Sequence, residues 1–412
     1  MPEVEWLLFV GIDWAKDAHE FCALTPDRKT VARGSIEHSG TGIAQFIDQL
    51  LKLSGNCPKR VAIALETPRG AVVESLLEHG FAVFSLNPKQ MDRFRDRHCV
   101  AGSKSDQFDS LVMGDSLCTD MHLFRRVKAD DPLIIRLREL SRTEEDLQRS
   151  TVGFGHQLRE LLVRYYPQML KLCPGADEPW LWALLELAPL PANASRLKPK
   201  RVEELLRKHR IRRLSAEDIL EKLREPALHL APGAAEAASE HMLFLLPLLR
   251  PLREQREQVA QRIAGILEEL SQPGQNEEHR DAAIILSLPG VGRVAAATML
   301  AEASEAIQHR DYHALRTYGG IAPITRQSGR SCQVLMRRSC NGRLRNAFYH
   351  WARVSSQHDE RSREQYQRLR AKGHSHGRAL RGVTDRLLAV LVAMLQNRTL
   401  FNPDFSAKAV RT

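Results

Sequence analysis

Four carboxylates stand where chemistry could be done. Asp13 closes the apolar run "WLLFVGID", Glu66 closes "RVAIALE", and Asp106 and Asp109 lie three apart in "SKSDQFDSLVMG", just after Lys104. A short apolar run ending in one acid predicts a buried strand with the acid at its C-terminal end, and the i, i+3 spacing puts the last two acids on one face near a helix start. Carboxylates that converge from three separate elements repel one another unless cations neutralise them. Oxygen-only donors suit Mg²⁺ or Mn²⁺ rather than zinc. Two such ions can hold a phosphodiester and stabilise its attacking and leaving oxygens, so the expected chemistry is metal-assisted phosphoryl transfer. Taken singly, each acid also fits a structural role: an Asp at a strand end forms turns, and Asp106 after Ser105 favours a helix N-terminus through its dipole.

Convergence depends on the elements that carry these acids. The N-terminal region reads as three strands ("WLLFVGID", "EFCALT", "TVARGSIEH"), a helix ("GTGIAQFIDQLLKL"), a strand ending at Glu66, a helix ("GAVVESLLEHG"), a strand ("FAVFSLN") and a helix ("SDQFDSLVMGDSLC"). That order is the order of a ribonuclease-H-like fold, a mixed five-stranded sheet with helices on its faces, in which the first and fourth strands are neighbours. From about Asp131 to Gln272 strand signals vanish and long helical patterns take over. Leu252, Val259, Ile263, Ile266 and Leu270 form a short heptad seam, which suits an antiparallel helical pair, a contact between copies, or packing within one chain. Pro247 and Pro251 should kink or start that helix. The expected class is therefore α/β plus all-α. Its expected divisions are a ribonuclease-H-like metal-binding domain over 1–125, a helical, coiled-coil-like linker over 126–275 and a basic, mostly helical domain over 276–412.

The charge is uneven. Of the net +10, residues 276–412 carry 22 Lys and Arg against 11 Asp and Glu, so the remainder of the chain is close to neutral. Eight arginines and no acid lie from Arg316 to Arg353, among Tyr318, Phe348, Tyr349 and Trp351. Such a field suits phosphate binding with some base or sugar stacking, although a solvated basic face has a similar composition. Ahead of it, "LPGVGRVAAATML" has the helix, Gly-x-Gly turn and small-residue helix of a helix-hairpin-helix. There Gly290, Gly292 and Arg293 would grip a backbone phosphate; a plain turn between two helices is the simpler alternative. No stretch of about 18 apolar residues lacks charge, and "MPEVEWLLFVGID" has no basic leader. A membrane span and a signal peptide are thus unsupported, and a cytoplasmic location is expected. The seven cysteines (Cys22, Cys57, Cys99, Cys118, Cys173, Cys332, Cys340) are scattered and read as free thiols.

"GIDWAK", "IALETPRG", "NPKQ", "KSDQFDS" and, far downstream, "LPGVG", "YGGIAP" and "RQSGRS" together resemble the transposases of bacterial insertion sequences of the IS-one-ten and IS-one-eleven-eleven group, kin to the Piv DNA invertases. The resemblance covers residues 7 to about 118 and 280 to about 350. It implies a RuvC-like domain with a DEDD metal site formed by Asp13, Glu66, Asp106 and Asp109, and a C-terminal domain whose serine, Ser328 of "QSG", attacks DNA. It also implies a structured guide RNA, often called a bridge RNA, that pairs with donor and target DNA. A homo-oligomer, dimer or tetramer, is expected as well, with the heptad from Leu252 to Leu270 as a surface for it. Ser331 and Ser339 lie close to Ser328 as rivals. Nearby Arg326 and Arg330 would stabilise the reacting phosphate. Where relatives commonly carry a lysine-x-glycine step, this chain reads "SCNGRLR", leaving backbone contacts to Arg337, Arg338, Arg343 and Arg345. The carboxylates alone also fit a metal-dependent structure-selective endonuclease that uses water, or a nucleic-acid-binding protein on the same fold without catalysis.

Overall fold

The computed structural model describes residues 5–86, 88–98, 105–128, 130–273, 280–329 and 331–403. They form two compact units divided at Asp130 and Asp131.

In the first unit β1 (Leu8–Asp13), β2 (Ala18–Leu24) and β3 (Thr30–Glu37) are followed by α1 (Gly40–Leu53), β4 (Val61–Leu65), α2 (Ala71–Glu78), β5 (Ala82–Ser85), α3 (Pro88–His98), α4 (Asp106–Asp120) and β6 (Arg125–Arg126). The sheet order is β3-β2-β1-β4-β5-β6, with β1, β4 and β5 parallel and the other pairs antiparallel. This is the expected ribonuclease-H-like order with one more strand than the five foreseen. The sixth is two arginines on an edge, too short and polar to carry a strand pattern. Helix α3 likewise leaves no apolar pattern in the sequence, because "PKQMDRFRDRH" offers only Met91 and Phe94 to the core.

Alternation along the strands assigns the two faces. Leu8, Val10 and Ile12 of β1, with Val61, Ile63 and Leu65 of β4, pack in one core with α1 and α2. Phe9, Ala62, Ala64 and Phe84 pack in the other with α3 and α4. Serine caps fix two helix starts: Ser39 Oγ accepts from Gly42 N ahead of α1, and Ser105 Oγ from Phe108 N ahead of α4.

The second unit begins with α5 (Pro132–Tyr165), capped by Asp131, whose carboxylate accepts from Leu133 N. There follow α6 (Pro167–Leu172), α7 (Pro179–Leu187), α8 (Pro191–Ala194), α9 (Pro199–Lys208), α10 (Ala216–Leu223) and α11 (Ala234–Ser271). Next come α12 (Asp281–Ser287), α13 (Arg293–Glu302), α14 (Ser304–Gln308) and α15 (Tyr312–Tyr318). A hairpin of β7 (Ile324–Ser328) and β8 (Ser331–Leu335) leads to α16 (Gly342–His358), α17 (Glu360–Ala371) and α18 (His376–Asn397). The unit has two hydrophobic cores that share α5 and α11. Leu158, Leu161 and Leu162 lie with Met242, Leu245 and Leu246 in one; Ile134 and Leu137 lie with Val259, Ile263 and Ile266 in the other. The two long helices therefore run antiparallel. Val259, Ile263 and Ile266 of the heptad seam are buried within the chain, where α12, α13, α16 and α18 complete the same core. Pro247 and Pro251 lie inside α11 and do not start it. The described cysteines are free, and Cys99 lies outside the described residues.

Candidate active site and nucleic-acid interface

Register brings the first carboxylates together. Gly11 stands beside Ala64 and Ile12 beside Leu65 across the parallel β1–β4 pair, so Asp13 and Glu66 end adjacent strands. By alternation both continue the Gly11, Ala62, Ala64 face that lies beneath α4. On the other side of β1, Glu20 is the direct antiparallel partner of Asp13 and shares that face. Three carboxylates on three neighbouring strands thus border one edge. Glu20 opens "EFCALT" with no local signal of its own, and only the β1–β2 register pairs it with Asp13.

The small residues on this face let α4 approach. A Cβ on Gly11 would lie 2.0 Å from Ser110 O and 2.5 Å from Gly114 N, so the helix backbone rests directly on the strand two residues before Asp13. Asp106 and Asp109 occupy the first turn of that helix. Asp106 is exposed, whereas Asp109 is buried and takes a two-pronged bond from Arg95 of α3, Nε to Oδ1 at 2.7 Å and Nη2 to Oδ2 at 2.9 Å. One turn and a half on, buried Asp115 is paired with Arg28 and, at 3.1 Å, with His98. These contacts anchor α4 to α3 and to the β2–β3 turn. Arg95 could not be foreseen: it lies in the charged helix that the sequence pattern hides.

A third tether acts behind Asp13. Buried His19 of β2 accepts at Nδ1 from the backbone N–H of Ala15 at 3.2 Å, so its Nε2 carries the proton it gives His38 Nδ1 at 2.8 Å. Burial, and then the neighbouring His38, pushes the His19 pKa down, which keeps the ring neutral and the loop after Asp13 fixed.

The donor set at this edge, carboxylate oxygens only, fits a hard divalent cation such as Mg²⁺ or Mn²⁺. As the side chains stand, no three His, Cys, Asp or Glu among the described residues are grouped closely enough to hold an ion. Each oxygen of Asp109 accepts one N–H from Arg95 and keeps a second lone pair.

In the second unit Ser328 lies at the tip of an exposed ribbon. Ser328 pairs with Ser331 across the turn at Gly329, and Arg326 with Gln333. Alternation puts Arg326, Ser328, Ser331 and Gln333 on one face, so the ribbon geometry leaves Ser328 and Ser331 as equal neighbours. Ser339 lies beyond the strands at the ribbon's foot. Lys104 and Arg330 lie outside the described residues.

The remaining arginines divide by environment. Arg293, Arg326 and Arg338 are exposed. Arg343 is paired with Glu145 of α5, Arg337 Nε donates to Ala322 O at 3.3 Å, and Arg345 Nη1 lies 3.8 Å from Cys340 Sγ. Of the four assigned to backbone contacts, three therefore have contacts within the unit. The aromatic side chains differ from expectation as well. Phe348 and Trp351 are fully buried, because their i, i+3 spacing on α16 faces the core, so of the α16 aromatics only Tyr349 has an exposed ring to stack.

The helix-hairpin-helix segment forms with its two glycines in different roles. Gly290 has φ +76° and sits against Ser355 of α16, while Pro289 O accepts from Trp351 Nε1 at 3.1 Å and from Ser355 Oγ at 2.7 Å. Gly292 is exposed, precedes α13 as its N-cap, and has open space where a Cβ would stand.

Comparison with known proteins gives matches in both regions. A family model for the DEDD domain of IS110 elements, described as a transposase, matches residues 10–167, and one described as "Transposase IS116/IS110/IS902 family" matches residues 282–367. A mini-circle protein of Streptomyces coelicolor, named as a transposase for IS117, is 34% identical over 98% of this chain and 97% of its own length. A Sinorhizobium fredii protein described as transposase y4uE is 38% identical over 55% of this chain and 62% of its own. The 43.6 kDa insertion-element IS110 protein of S. coelicolor is 27% identical over 96% of this chain and 95% of its own. With two models matched in order and one relative alike along nearly its whole length, the chain belongs to the IS116/IS110/IS902 family of transposases, enzymes that cut DNA and transfer its strands.

Proposed function

We propose that this transposase moves an insertion sequence through a phosphoserine intermediate, with Asp13, Glu66, Asp106 and Asp109 as the metal ligands and Ser328 as the nucleophile. The observation that carries the reading is the adjacency of Asp13 and Glu66 at parallel strand ends, on the face against which the Asp106–Asp109 helix is packed. When bound there, Mg²⁺ or Mn²⁺ would supply charge neutralisation for a phosphodiester and its leaving oxygen. The chain's own groups do the rest. The Ser328 hydroxyl attacks phosphorus: an Oγ–P bond forms, the P–O bond to one strand end breaks, and that end leaves as a free hydroxyl with the proton the serine gives up, while Arg326, on the same face of the ribbon, offsets the charge on the phosphate oxygens. The bond to DNA is conserved as an ester on serine, so rejoining needs no ATP. Arg293, Arg338 and the turn at Gly290 and Gly292 bind backbone phosphates of donor and target DNA and of a structured guide RNA. The enzyme acts in the cytoplasm as a homo-oligomer, dimer or tetramer. Leu243, Phe244 and Leu248 of α11 support such an assembly, with Phe244 76% exposed.

The test is Glu66→Gln, which removes one charge with little change of shape. In the presence of DNA, guide RNA and Mg²⁺, strand cleavage should fall by on the order of 10³-fold, as when several kcal/mol of charge stabilisation are lost. Melting temperature and nucleic-acid affinity should stay near those of the parent, and calorimetry should show weakened Mn²⁺ binding. Full cleavage by the variant, or by the parent in EDTA, contradicts the reading.

A further inference from the structure

The ribbon that carries Ser328 cannot hold its own pose. Apart from half-buried Ile324, its described strand residues are exposed, and an isolated two-stranded ribbon is marginally stable in water. Its orientation must come from its two feet, residues 318–322 and 337–341. They are stitched to each other: Asn341 N donates to Tyr318 O at 2.8 Å, and Gly320, with φ +68°, leaves room for Cys340 Sγ, which a Cβ there would approach to 2.8 Å. Ile321 and Tyr318 seat the first foot in the core, Met336 Sδ accepts from Arg381 Nη1 of α18 at 3.1 Å, and the second foot is tied to α5 and α13 by a buried carboxylate. Glu302, the last residue of α13, accepts from Asn341 Nδ2 through Oε2 at 2.7 Å and from Arg142 Nε of α5 through Oε1 at 3.0 Å. Its side chain is 8% exposed. Burial pushes its pKa up, but the bonds from Arg142 and Asn341 and the charges of Arg142 and Arg138 outweigh that and hold it below the usual carboxylate range. Asn341 has a second task, since its Oδ1 accepts from Arg343 N at 3.0 Å and Leu344 N at 3.1 Å and so caps α16.

We propose that Glu302 is a positioning residue for strand transfer: its two oxygens, divided between Arg142 and Asn341, lock the foot of the serine ribbon to α5 and α13. The proposal rests on Ser328 being the nucleophile. Only a carboxylate satisfies both partners, because each brings an N–H donor. A glutamine has one acceptor oxygen and would turn its NH₂ toward the other donor. The second foot would then be held less firmly against α5 and α13, and a displacement of about 1 Å at a reacting group costs on the order of 10²-fold in rate.

The test uses the full chain and two variants. Glu302→Gln breaks one arm of the clamp. Asn341→Asp keeps the helix cap, since aspartate caps as well as asparagine, but sets a carboxylate against Glu302. Hydrogen exchange of peptides spanning 324–335 reports the pose of the ribbon, and single-turnover cleavage at saturating DNA and guide RNA reports the chemistry. For Asn341→Asp we expect roughly tenfold faster exchange confined to the ribbon and its feet, a cleavage rate lower by on the order of 10²-fold, and DNA affinity unchanged. Ribbon exchange equal to that of the parent in both variants overturns the proposal, as does a uniform rise across the whole unit, which makes Glu302 a general stabiliser. Faster ribbon exchange with undiminished cleavage supports the clamp and overturns instead the assignment of the reaction to Ser328.

Discussion

Gly11→Ala should abolish strand cleavage and destabilise the first unit. The added methyl would stand 2.0 Å from Ser110 O, 2.5 Å from Gly114 N and 2.9 Å from Met113 Cβ. Two of these are backbone atoms of α4, so no flexible side chain can turn away, and the helix itself must lift from β1. Overpacking of this kind costs about 3 kcal/mol, which in a unit of this size lowers the melting temperature by on the order of 10 °C. The functional loss should exceed the stability loss. Even at a temperature where the variant is folded, Asp106 and Asp109 move with α4 while Asp13 and Glu66 stay with the sheet. Calorimetric Mn²⁺ titration of folded Gly11→Ala should therefore show weaker binding than the parent. A variant with parental melting and parental cleavage would mean that the approach of α4 to β1 does not set the site.

The two glycines of "PGVG" should behave oppositely although they share one motif. Gly290→Ala forces a side chain into the left-handed region, at about 1–2 kcal/mol, and drives its Cβ to 2.6 Å from Ser355 N and 2.7 Å from Ser355 Oγ. With the overpacking added, about 3 kcal/mol should be lost from the core in which Trp351, Ser355 and Pro289 are bonded. Gly292→Ala has open space and a φ of −79°, so thermal melting should shift little, while DNA affinity falls as the added methyl crowds the exposed amides at the start of α13. Equal melting of the two variants would contradict the division of labour. Equal DNA affinity of Gly292→Ala and the parent would remove the turn from the interface.

Much of this was legible in the sequence. The order of β1 to β5 with α1, α2 and α4, and the placement of Asp13 and Glu66 at neighbouring strand ends, follow from apolar runs and helical periodicity, because a buried parallel strand needs an apolar run on both faces. What was hidden depends on register and on long-range partners. Glu20 becomes a neighbour of Asp13 only through the β1–β2 pairing. Arg95 lies in a helix with two apolar anchors, so no periodicity marks it. The seam from Val259 to Ile266 was visible as apolar spacing, yet spacing alone does not say whether the surface it meets is another copy or, as here, helices of the same chain. Phe348 and Trp351 read as stacking rings by composition and face the core by geometry. Glu302 and Asn341 carry no local signal: a single acid at a helix end and an asparagine before a glycine acquire a role only when the fold brings residues 39 positions apart into a bond.

The proposed mechanism joins a serine of the ribbon to DNA, and denaturing electrophoresis detects that bond. Parent, Ser328→Ala and Ser331→Ala proteins are incubated with labelled donor and target DNA, guide RNA and Mg²⁺, then resolved under denaturing conditions. The parent and Ser331→Ala should give a labelled band that migrates with protein, and Ser328→Ala should give neither that band nor recombinant product, while binding DNA and Mn²⁺ as the parent does. A covalent band retained in Ser328→Ala but lost in Ser331→Ala would transfer the role across the ribbon. Cleavage by the parent with no covalent species at any time point would contradict the serine mechanism and make water the nucleophile.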